Sequence, residues 1–155
     1  MTGKFKSSEG QAIIEFAYVL PLMVIIVIGI IEFGVLFYNQ AVVTNASREG
    51  ARAGMTFETV EGSYWSPSDM QTKVQQTVDN YLQGRLITFG PTGTVTATAT
   101  RTYTSPEYEY NAYQTATEGK VEVVVTYQHT YLVMPNLFGW GNTINLSAET
   151  TMRLE

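Results

Sequence analysis

AIIEFAYVLPLMVIIVIGIIEFGVLFY, residues 12–38, is apolar apart from Glu15 and Glu32. As an α-helix rising about 1.5 Å per residue, a stretch of this length reaches about 40 Å. A bilayer's hydrocarbon core is only about 30 Å thick, so the segment can cross it and continue into the interface. Its inner run, residues 16–31, carries no charge. A buried core helix is the other reading of such a run, but a chain of 155 residues has little else to wrap around one. A secretory signal has an apolar run of about 7–15 residues, shorter than this one, and Thr44-Asn45-Ala46 makes a poor cleavage site well beyond it. The stretch therefore predicts a permanent membrane-spanning helix near the N-terminus.

The composition fits that reading. Charged residues are 15% of the chain, against about 25% in soluble domains. The net charge of −5, from 14 acidic and 9 basic residues, argues against a nucleic-acid partner, which would require many phosphates to be offset. With no cysteine and a single histidine, His129, thiol chemistry, cysteine-ligated metals and histidine-based triads have no residues to build on. Asp69 and Asp79 are the only aspartates and lie far apart in sequence. We expect no enzyme, no metal and no cofactor.

Positive charge does not decide orientation: Lys4 and Lys6 precede the span, and Arg48 and Arg52 follow it. The short tail before the span and the domain-like sequence after it favour a cytoplasmic N-terminus. The two acids inside the apolar run are more informative, because a carboxylate at mid-bilayer costs about 2.5–3.5 kcal/mol on insertion scales. Glu15 is either an interfacial residue or an acid that meets a cation in an assembly. Glu32, nearer the outer surface, either snorkels to water or serves the same purpose. Pro21 removes a backbone bond and permits a kink. Gly29 and Gly34 allow close helix approach, but not at the four-residue spacing of a strong dimer motif.

Gly10-Gln11-Ala12-Ile13-Ile14-Glu15-Phe16 resembles the processing site of type IV prepilins, a glycine followed five residues later by glutamate and an aromatic residue. Leu20-Pro21, Ile31-Glu32-Phe33-Gly34 and Ala46-Ser47-Arg48-Glu49-Gly50-Ala51-Arg52 extend the likeness to the TadE-like minor pilins (pseudopilins) of the Tad, or Flp pilus, machinery, as does Leu146-Ser147-Ala148-Glu149-Thr150-Thr151-Met152-Arg153 more weakly. The resemblance implies cleavage by a prepilin peptidase between Gly10 and Gln11, which would remove Lys4, Lys6 and Glu9 and create an ammonium at Gln11. It implies that Glu15 pairs with such an ammonium on a neighbouring subunit, and it marks Phe16, Pro21 and Glu32 as further assembly residues. The implied setting is the bacterial inner membrane. The implied partners are other Tad pilins, an inner-membrane assembly platform and the lipid bilayer, in a homo- or hetero-oligomeric pilus.

Beyond the span, the helical pattern continues to about residue 54, with Ala46, Gly50 and Gly54 forming a small-residue stripe. That stripe packs either on the chain's own domain or on a neighbour. Residues 69–82 read as an amphipathic helix capped by Ser66 or Ser68, with Met70, Val74, Val78, Tyr81 and Leu82 on one side and Gly84 as the stop. Residues 94–104, 120–134 and 143–154 alternate at period two and predict three antiparallel strands. The expected fold is α+β: a leader at 1–10, a transmembrane and stalk helix at 11–54, and a small pilin-like head at 55–155. His129 reads as a strand residue with a satisfied ring. The loop at 105–119, with Tyr108, Tyr110 and Tyr113, is a possible contact surface. A permanently anchored periplasmic binding module using that loop is the alternative function, and it predicts an intact N-terminus.

Overall fold

The computed structural model describes residues 8–56, 67–90, 93–103, 119–132 and 141–154. Tyr108, Tyr110 and Tyr113 lie outside the described residues, as do Lys4 and Lys6 and most of the apolar connection at 135–141. Helix α1 (Ser8–Met55) is followed by helix α2 (Pro67–Leu82) and strands β1 (Val95–Tyr103), β2 (Gly119–Thr130) and β3 (Thr143–Leu154). The sheet is antiparallel in the order β1-β2-β3. The fold is α+β with a long apolar N-terminal helix, as the sequence predicts.

Helix α1 runs unbroken through Pro21, although that residue can supply no N–H to the turn before it. Its apolar half is bare: only 11% of its most apolar 18-residue stretch is buried. A core helix would be covered on most sides, so this half is a candidate membrane span. The other half buries one stripe, Asn39, Val42, Val43, Ala46, Ser47, Gly50, Ala51 and Gly54, at the three- and four-residue spacing that keeps side chains on one helix face.

That stripe packs on the chain's own head. A Cβ at Gly50 would sit 2.9 Å from Val78 Cγ2 and 3.3 Å from Val123 Cγ1, and one at Gly54 would sit 3.0 Å from Val121 Cγ1. The missing side chains let α1 lie directly on α2 and the sheet. Helix α2 begins two residues earlier than the periodicity suggested, because Pro67 suits a first helical position where an N–H would go unused. It ends at Leu82, where Gly84 takes φ +71° and the amide of Arg85 returns to the carbonyl of Leu82 at 3.0 Å.

The core is a single cluster of Val43, Ala46, Val74, Val78, Val121, Val123, Val125, Tyr127 and their neighbours, closed between the two helices and one sheet face. Strand β2 carries its centre, with alternate residues from Val121 to His129 buried. It ends at Thr130 rather than near 134, but Tyr131 still donates to the carbonyl of Asn142 at 3.0 Å. Two side-chain contacts set the direction of α1: Gln40 Nε2 donates to the carbonyl of Ser147 at 3.0 Å, and Ser47 Oγ meets Thr150 Oγ1 at 2.7 Å. Helix and strand numbers rise together, so α1 lies parallel to β3.

Candidate functional site: the apolar helix and its junction with the head

At its N-terminal end α1 presents the residues singled out in the sequence on one continuous helix. Gly10, Gln11, Glu15, Phe16 and Pro21 are all exposed, and a Cβ at Gly10 would meet nothing within 4 Å. Gln11 Nε2 donates to Glu15 Oε1 at 3.1 Å across one turn. The carboxylate is thus held beside the residue that would become the first of a processed chain. Phe16 is 59% exposed, and the apolar surface continues through Leu22, Ile26 and Ile30 to Phe33 and Phe37. One flank of it, lined by Ile25, Ile26, Gly29, Ile30, Phe33, Gly34 and Phe37, forms an open apolar groove of about 560 Å³.

Glu32 has a different setting. It is 3% exposed, and its Oε1 accepts a hydrogen bond from the backbone amide of Leu132, just past β2. Sequence reading offered snorkelling or assembly for this acid; the structure gives it a partner within its own head. The carboxylate therefore ties the upper part of the apolar helix to the base of the sheet.

Two turns along α1, Asn39 makes the second tie, which the sequence did not single out. It is fully buried; its Oδ1 accepts from the Ile87 amide at 3.0 Å, and its Nδ2 donates to the Ile87 carbonyl at 2.7 Å. Because an amide N–H can only donate, this pair fixes the side chain's orientation. The Nδ2 group also lies 3.2 Å from His129 Nδ1, which must then be an acceptor, placing the ring proton on Nε2. That Nε2 is buried with no partner among the described residues, and so is the hydroxyl of Tyr127. The expected satisfied histidine is only half satisfied.

His129 stands between Tyr127 and Tyr131, with ring centroids 6.2 and 5.7 Å away. Burial pushes its pKa below the ordinary histidine value, and the negative charge of Glu32 opposes part of that shift. Burial, then Glu32, raises the phenol of Tyr131, and burial raises that of Tyr127. Since the folded histidine resists a proton that the unfolded one accepts near pH 6.5, stability is unaffected above that value and falls as the pH drops below it. Between pH 7.5 and 5 the thermal midpoint of the head should fall, and His129→Gln should flatten that fall. A wild-type midpoint constant over this range would refute the prediction.

Among the described residues no three His, Cys, Asp or Glu side chains converge to hold a metal. No curated protein and no solved structure matches the chain. The family model described as TadE-like protein does match, over residues 10–52, which span the exposed apolar helix, both acids, and Ala46 and Gly50 of the small-residue stripe. Over that stretch, the chain is similar to TadE-like proteins.

Proposed function

We propose that the protein is a minor pilin (pseudopilin) of a Tad-type pilus, anchored by α1 in the bacterial inner membrane with its head on the far side. A prepilin peptidase would cut between Gly10 and Gln11, and Glu15 would then pair with the new ammonium of a neighbouring subunit. The observation that carries this reading is the placing of Gly10 and Glu15 at the lip of an apolar helix with no cover of its own. In low dielectric a lone carboxylate is costly, and a cationic chain end at the same depth is a far better surrounding than lipid. Phe16 and the bare groove around Gly29 would supply the packing, where the absence of side chains lets another helix come close.

The test is the N-terminal sequence of protein purified from membranes of cells that make the pilus. The expected first residue is Gln11, and Gly10→Ala should leave the chain starting at its original N-terminus with slower gel mobility. Wild-type protein that keeps residues 1–10 would defeat the proposal and leave the anchored binding module in its place.

A further inference from the structure

The two edges of the sheet are treated differently. In an antiparallel ladder the backbone groups of alternate residues point to opposite sides of a strand. On β1 the outward groups include those of Ala97 and Ala99, and α2 closes them. Gln75 Oε1 accepts from the Ala97 amide at 2.9 Å, Gln71 Oε1 accepts from the Ala99 amide at 2.8 Å, and Gln71 Nε2 donates to the Ala97 carbonyl at 2.5 Å. Two glutamines thus stand in for a neighbouring strand.

On β3 the outward groups follow from the register. Gln128 uses its amide toward β1, donating to Thr94 O at 3.2 Å, so its β3 partner Asn145 faces away from the sheet. By alternation Ser147, Glu149, Thr151 and Arg153 do the same. Among the described residues, the only hydrogen bond on this edge is that of Gln40 to the Ser147 carbonyl. These five residues are also the exposed ones of β3 on the uncovered face of the sheet.

An edge of this length that the described residues leave open is a template for strand addition. In the antiparallel pairing, which is the more stable per residue, a second copy fits it poorly. The β1 edge of another copy is shut by its glutamines. Antiparallel addition of another β3 would reverse everything parallel to that strand, including α1, and two such helices could not cross one bilayer in the same sense. This exclusion rests on reading α1 as the membrane span. We infer that β3 docks an extended segment of a different polypeptide, added antiparallel beside residues 145–153, with a basic side chain opposite Glu149 and an acidic one opposite Arg153. Those two charges, four residues apart on one face, set the register.

The experiment uses the full chain in nanodiscs and the synthetic peptide Glu-Val-Thr-Val-Lys-Val-Thr-Val-Thr, which lies beside residues 153–145 and places Glu opposite Arg153 and Lys opposite Glu149. Hydrogen exchange of the Glu149 and Thr151 amides should slow by about tenfold or more on adding the peptide. The Thr151→Pro variant removes an outward N–H and leaves the ladder to β2 intact, so it should keep the wild-type thermal midpoint and lose the protection. Should that variant unfold, Asn145→Pro serves the same purpose at the other end of the edge. Unchanged exchange at saturating peptide would overturn the inference. So would full-length protein that is dimeric in wild-type form and monomeric with Thr151→Pro, since a second copy would then fill the edge.

Discussion

Asn39→Leu is expected to destabilise the head strongly while leaving membrane association unchanged. Leucine is close to asparagine in size, so the change opens no large cavity; its effect is on the hydrogen bonds. It strands the amide and carbonyl of Ile87 and the Nδ1 of His129, three groups that Asn39 now satisfies. A buried group left without a partner costs about 1–3 kcal/mol. Water can reach part of Ile87, which is 43% exposed, but not the fully buried His129. The expected loss is about 3–5 kcal/mol, set against the 5–15 kcal/mol that holds a typical domain. The apolar half of α1 makes few contacts with the head, so membrane fractionation should not change. Limited proteolysis and thermal melting in detergent would measure the effect. A midpoint within a degree or two of wild type would show that Asn39 does not hold the junction.

The contrast between Asn39 and Glu32 shows what could be read beforehand. Glu32 stands out in sequence because an acid inside an apolar run demands a reason, yet its partner, the Leu132 amide, lies 100 residues away and leaves no local trace. Asn39 follows Tyr38 at the edge of the apolar run, where a polar residue looks ordinary, so only the fold reveals it. Elements that depend on local physics were legible. The strands announce themselves by period-two alternation, and the helix stop by Gly84. The candidate span follows from length and lack of charge alone. The sealing of β1 by Gln71 and Gln75 was not legible, since glutamines on an amphipathic helix read as a solvated face until the strand beside them is known.

Gly50→Val should strongly disrupt the packing of the upper half of α1, and it separates the two uses of that helix. A Cβ there already approaches Val78 Cγ2 to 2.9 Å, Val123 Cγ1 to 3.3 Å and Val74 Cγ1 to 3.4 Å, and valine adds two methyl groups beyond it. The neighbours are short β-branched side chains fixed in a close-packed core, so relief requires α1 to lift from α2 and the sheet together. Overpacking of this kind costs about 1–3 kcal/mol for ordinary insertions, and a branched side chain between two elements belongs at or above the top of that range. The head's thermal midpoint should drop sharply, and its core amides should lose exchange protection. Gly34→Val is the matched comparison, because a Cβ there meets nothing within 4 Å and the residue lines the open groove on the bare half. It should leave the midpoint of the isolated protein unchanged. If the groove receives another subunit's helix, the same substitution should reduce pilus yield several-fold, in keeping with a close helix contact that tolerates no side chain. An unaltered midpoint for Gly50→Val would mean that α1 does not rest on the head as the packing of its small-residue stripe requires.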